Sequence, residues 1–179
     1  MDDAVFIGGP EKRTIVIEEH DPAWAARFER VRASLHEALG HRARRVEHFG
    51  STAVPGLAAK AVIDVMVTVE DADDEADYGP PLEAHGFHIR VREPGHRMYR
   101  PPSQDVHVHI CTEGSDGARQ RLLFRDWLRH DAADRRLYEQ TKRELARHDW
   151  DATNDYSEAK GGVVAEIMAR ARAWAGERA

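Results

Sequence analysis

The chain has 179 residues, 41% of them hydrophobic and 32% charged, with a formal net charge of -6. That length suits one domain with its own core, and that composition excludes a disordered or collagen-like chain. The only cysteine, Cys111, excludes an internal disulfide and a structural site built from several thiolates, and the acidic balance argues against a long nucleic-acid backbone as partner.

Residues 1–13 read as a flexible tail and 14–179 as a single domain. Met1 to Pro10 lacks a basic stretch followed by an apolar run, and no segment approaches the roughly 20 apolar residues of a membrane span. The expectation is a cytoplasmic chain with no membrane partner. Thr14-Ile15-Val16-Ile17 predicts a short strand. Asp21-Pro22 predicts a helix start, because Asp caps and Pro fits the first turn. The helix carries Trp24, Phe28, Val31, Leu35 and Leu39 at helical spacing and stops at Gly40.

Arg45 to Phe49 predicts a strand leading into Gly50-Ser51, and Ser51 to Lys60 a loop with a Pro55-Gly56 turn. Ala61 to Val69 is β-branched and almost wholly apolar, the pattern of a central strand buried on both faces, with Asp64 as its one charge. Glu70 to Asp77 predicts an acidic loop entering a helix through Leu82 to His85. Gly86 to Arg92 and Arg97 to Arg100 predict a hairpin around Pro94-Gly95, and Asp105 to Thr112 a further alternating strand. Gly114 to Gly117 predicts a turn. Three helices follow, carrying Leu122 to Leu128, Leu137 to Leu145, and Tyr156 to Trp174. The fold class is α+β, a mixed sheet with an N-terminal helix and C-terminal helices.

Four groups of residues bear chemistry. Gly50-Ser51 leaves a strand, where backbone N–H groups and a hydroxyl can approach a phosphate; a plain turn is the alternative. Asp64 follows Ser51 by thirteen positions, close after Lys60. A carboxylate inside a buried strand calls for a cation or for a partner such as Lys60. His107 and His109 share one strand face, about 7 Å apart at Cα, and suit a divalent metal, phosphate oxygens, or simply water. On the helices, Arg125 and Arg129 lie one turn apart, as do Tyr156 and Lys160, either as anion-binding faces or as solvated ones. Cys111 reads as an apolar filler.

At these residues the sequence resembles the GrpB family. The likeness runs through His20-Asp21-Pro22-Ala23-Trp24, the long stretch Glu47 to Asp64, His107-Val108-His109, Leu123 to Arg129, and Tyr156-Ser157-Glu158-Ala159-Lys160. The chain also resembles the domain fused behind the kinase that completes coenzyme A synthesis. The family in turn resembles the nucleotidyltransferases, which implies a nucleotidyltransferase-like mixed sheet. In that larger group a Gly-Ser turn precedes a strand with two acidic residues one position apart, and a third carboxylate lies on a later strand. Gly50-Ser51 and Asp64 match. The second carboxylate falls at Met66 and the third in the strand bearing His107 and His109, so in place of the usual pair of Mg²⁺ ions the resemblance implies one divalent ion, Zn²⁺ or Mn²⁺ before Mg²⁺, or no metal at all. The resemblance implies binding of a nucleotide or other phosphate-bearing small molecule, with Asp64, His107 and His109 as catalytic groups and metal ligands. Gly50, Ser51, Lys60, Arg125, Tyr156 and Lys160 would bind the phosphate ligand. The alternatives are a non-catalytic binding module and a domain that acts on a protein partner.

Overall fold

The computed structural model describes residues 4–176. Residues 1–3 of the expected tail, and 177–179, lie outside the described residues. Six strands form one mixed sheet: β1 (Val5–Phe6), β2 (Arg45–Phe49), β3 (Ile63–Val69), β4 (His88–Glu93), β5 (His96–Arg100) and β6 (Val106–Thr112), in the order β1-β4-β5-β6-β3-β2. Strands β3 and β6 run parallel and every other neighbouring pair is antiparallel.

The helices are α1 (Ala23–Leu39), α2 (Glu75–Ala84), α3 (Asp116–His130), α4 (Ala132–Leu145), α5 (Thr153–Ala159) and α6 (Gly161–Gly176). Strand alternation sends Ile63, Val65, Val67 and Val69 of β3, with Val106, Val108 and Ile110 of β6, into one core beneath Trp24, Phe28, Leu35 and Leu39 of α1. A second core lies among the C-terminal helices, built on Trp127, Leu128, Tyr138, Ile167 and Met168. Asp134 joins those helices: it accepts from Trp127 Nε1 at 2.6 Å and from Arg170 Nη2 at 2.6 Å and Nε at 2.8 Å. Ser115 and Asp131 cap α3 and α4, each side chain accepting from a backbone N–H three residues on. Asp21 accepts from the Ala23 N–H at the start of α1. Among the described residues no helix is long and apolar enough to cross a membrane.

Four local expectations differ from the structure. Thr14 to Ile17 is not a strand; beyond it, Glu18 and Ala59 exchange one pair of backbone bonds, of 2.8 and 2.9 Å. Inside the expected tail, Val5 and Phe6 pair with Arg92 and Val91 and add an edge strand. Helix α2 begins at Glu75, within the expected acidic loop. The last helix is two: Lys160 interrupts it, and Gly161-Gly162 behind the interruption contribute little helix propensity.

Candidate functional site

The parallel pairing of β3 with β6 sets the site. Its register puts Asp64 beside His107 and Met66 beside His109, all four on the sheet face away from α1. Asp64 Oδ1 lies 3.5 Å from His107 Nδ1 and 3.6 Å from His109 Nε2, and one ligand atom from each residue lies within 4.8 Å of the others. The two separations from Asp64 are long for hydrogen bonds. They are close to the edge, about 3.4 Å, of a ligand tetrahedron with metal–ligand bonds of about 2.05 Å.

Burial alone would raise the Asp64 carboxyl, but His107 and His109 outweigh it and hold the group far below the usual carboxylate range. Burial pushes His109 down, against the opposing pull of Asp64. Behind His109 a relay runs to β5 and β4: His109 Nδ1 is 2.9 Å from His96 Nε2, and His96 Nδ1 is 2.8 Å from Glu93 Oε2. Burial holds His96 near 2, so it is neutral. The relay fixes the His109 ring with Nε2 towards Asp64, as outer-shell partners do for metal-binding histidines.

Met66, where the larger superfamily places a second carboxylate, is fully buried with Cys111, Ala118, Phe49 and Leu122. A two-ion carboxylate centre does not fit this strand. One ion held by a carboxylate and two imidazoles does, and that donor set suits Zn²⁺ or Mn²⁺.

Gly50 shows why glycine is required at the turn. Its φ of 70° and ψ of -172° belong to a region essentially reserved for glycine. A Cβ there would sit 2.5 Å from Asp64 Oδ2. The residue lets the chain pass directly over the acidic group, and Ser51 to Ala53 then form one short 3-10 turn.

A cleft of about 780 Å³ opens beside this face, lined by Gly50, Ser51, Asp64, His107 and His109 on one side. Lys60, Tyr156, Lys160, Tyr138 and Lys142 line another. The Lys60 and Lys160 ammonium groups stand 5.3 and 4.6 Å from the Tyr156 ring centre, and among the described residues neither has a carboxylate within ion-pair distance. Tyr156 Oη is buried without a hydrogen-bond partner, a polar group left for a ligand. Lys142 is 3% exposed and donates to Ser51 Oγ at 3.0 Å and to the Ala58 carbonyl. Burial, helped by nearby Lys160, lowers it to about 7; burial, with Lys60, lowers Lys160 to about 8.

Eight of the nine residues expected from sequence therefore line one cleft, and Arg125 does not. Arg125 donates to Glu47 Oε2 and the His48 carbonyl, both at 2.9 Å, and to Asp126 at 2.7 Å. Its neighbour Arg129 donates to the Ala53 carbonyl at 2.9 and 2.7 Å. From α3, Arg125 thus holds the end of β2 and Arg129 the end of the Gly50–Ala53 turn. Sequence reasoning missed Lys142, Tyr138 and the relay through His96. Lys142 carried one readable sign, a cation one turn after Tyr138 on the buried face of α4. His96 carried none, lying in the expected hairpin connection beside Pro94-Gly95.

The model of the GrpB protein family matches residues 14–170. A UPF0157 protein of Streptomyces coelicolor is 49% identical over 94% of this chain and 90% of its own length. A dephospho-CoA kinase of Mycolicibacterium paratuberculosis is 33% identical over 87% of this chain, which covers 45% of that protein. The crystal structure of GrpB from Enterococcus faecalis superposes with a TM-score of 0.78 at 29% identity, over 89% of this chain and 99% of that one. A Cid1 poly(U) polymerase structure reaches a TM-score of 0.51 at 15% identity over 72% of this chain and 44% of that one, a likeness of nucleotidyltransferase-like fold alone. Because the family model and the Streptomyces relative both span most of the sequence, this chain belongs to the GrpB family.

Proposed function

We propose that the chain binds a nucleotide or other phosphate-bearing small molecule in this cleft and transfers a phosphoryl or nucleotidyl group from it. The observation that carries the reading is the convergence of Lys60, Lys142 and Lys160 on the cleft that also holds Asp64, His107 and His109. Three cations, one unpartnered phenol and the Ser51 hydroxyl offer donors to phosphate oxygens, while the carboxylate and imidazoles would hold one divalent ion. Such an ion, when bound, supplies Lewis-acid polarisation of a phosphoryl oxygen. The lysines neutralise the remaining charge, and the Tyr156 ring keeps two of them apart.

The test is a thermal-shift panel of ATP, GTP, CTP, UTP and coenzyme A with its precursors, each with Zn²⁺, Mn²⁺, Mg²⁺ or chelator. The dephospho-CoA kinase match is the reason coenzyme A belongs in it. A ligand at 100 times its dissociation constant adds about 2.7 kcal/mol, roughly 5–10 °C for a domain of this size. A metal-dependent shift that Asp64→Asn removes is the expected result. No shift with any phosphate compound refutes the reading.

A second reading, binding without chemistry, is favoured by Met66, which removes the second carboxylate. Stable binding of the same ligand without turnover over hours selects it.

A further inference from the structure

Met66 leaves no second carboxylate beside Asp64 to activate an incoming hydroxyl, and hydroxyls of the chain itself line the cleft. Three of them touch a basic group. Ser103 bonds to Asp105, whose carboxyl that same bond pulls below its ordinary value, leaving a weak base. Thr52 is 4% exposed, donates its proton to the Val62 carbonyl and lies against His48, so it is closed to a ligand. Ser51 is half-buried and open to the cleft, and its Oγ is 3.0 Å from Lys142 Nζ.

We propose that Ser51 is a covalent acceptor in this cleft: its Oγ attacks the phosphorus of the bound ligand, and Lys142 takes the hydroxyl proton. The inference rests on the reading of the cleft as a phosphate site. In the first step the Oγ–P bond forms and the bond from phosphorus to the leaving oxygen breaks. The proton passes from Ser51 to Lys142 and on to the leaving oxygen. In the second, water or an acceptor hydroxyl attacks the phosphoserine and gives its proton to Lys142, which returns one to Ser51 as the ester breaks. The net result is phosphoryl transfer with the chain regenerated.

The surroundings of Lys142 suit the role. Its second hydrogen bond, to the Ala58 carbonyl, holds the amine in place, and once neutral the nitrogen can accept the Ser51 hydroxyl proton across the 3.0 Å contact through which the ammonium donates. Burial, with Lys160, Lys60 and Arg143 around it, lowers the ammonium to about 7, and Glu139 alone of its neighbours opposes this. A working fraction of free base is therefore present near neutral pH. The pairing of a serine with a lysine base recurs on unrelated folds.

The experiment treats the full chain with a fluorophosphonate, which bonds to an activated serine as the P–F bond breaks and fluoride leaves. The adduct is located by intact-mass and peptide mass spectrometry. One adduct on Ser51 is expected, forming faster at pH 8 than at pH 6 and absent from Ser51→Ala. In Lys142→Met labelling falls at least tenfold; Lys142→Arg, which keeps the cation and lacks the base, gives the same answer should the methionine variant unfold. No Ser51 adduct on the folded wild-type chain, or equal rates in a folded Lys142 variant, overturns the proposal. Pyrophosphate binding is measured on the same sample. A pyrophosphate shift with no adduct overturns the covalent step alone, and an adduct with no shift with any phosphate compound overturns the phosphate-binding reading.

Discussion

Replacing Gly50 by alanine tests the packing of the turn against the acidic strand. The backbone at Gly50, with φ 70° and ψ -172°, costs an alanine about 1–3 kcal/mol. The new Cβ would also meet Asp64 Oδ2 at 2.5 Å and Asp64 Cγ at 3.1 Å, and relieving that overlap adds about 1–3 kcal/mol. The expected loss is on the order of 2–6 kcal/mol, a fall in melting temperature of roughly 4–24 °C. Urea denaturation of four chains separates the two contributions: wild type, Gly50→Ala, Asp64→Ala and the double variant. Asp64→Ala removes the atoms at 2.5 and 3.1 Å beyond Cβ but leaves the backbone penalty, so Gly50→Ala costs at least about 1 kcal/mol less in that background. Equal costs in both backgrounds would refute the close approach, and with it the explanation for glycine at this position.

Three further outcomes follow from the same geometry. Met66→Asp places a carboxylate in the apolar cluster of Cys111, Ala118 and Leu122; it loses at least about 3 kcal/mol in urea denaturation, and a fully stable variant that gains Mg²⁺ binding contradicts the single-ion reading. His96→Ala removes no ligand yet breaks the 2.9 Å contact that orients His109, so zinc affinity by competition with a chelating dye falls about 10–100-fold; an unchanged affinity shows that the relay orients nothing. Sulfate, whose charge is constant across this range, binds best below pH 7. Burial lowers Lys160 to about 8, and an anion bound against it raises it again, so affinity is lost as pH climbs through that value. Titration calorimetry is expected to show at least ~tenfold weaker binding at pH 9 than at pH 6, and a flat profile argues that Lys160 does not meet the anion. In the unliganded chain the sign is reversed: the unfolded state holds more protons between about pH 7 and the ordinary lysine value, so stability rises with pH across that window.

The segment from β2 to β3 was legible because its information is local. A strand ending in Gly-Ser, a turn at Pro55-Gly56 and a β-branched run with one acid each follow from backbone propensity and alternation. Period-two alternation likewise put His107 and His109 on one face and their apolar neighbours on the other. The spacing of Trp24, Phe28, Leu35 and Leu39 gave α1 its buried stripe.

What alternation leaves open is which strands lie side by side and in what register. Asp64 meets His107 because β3 and β6 pair in parallel across α2 and the β4–β5 hairpin, a result of packing both sheet faces at once. Lys142 meets Ser51 across 91 positions, because α4 docks on the turn through Tyr138 and Lys142. The resemblance put Arg125 among the phosphate ligands, and the docking of α3 turned it to Glu47 and the His48 carbonyl. The sequence by itself determined the family, the strand and helix faces, and the identities of the acid, the two imidazoles and two of the three cleft lysines. Only the tertiary structure decided which of these groups meet, because long-range contacts depend on the global burial of apolar surface and not on the preferences of any one segment.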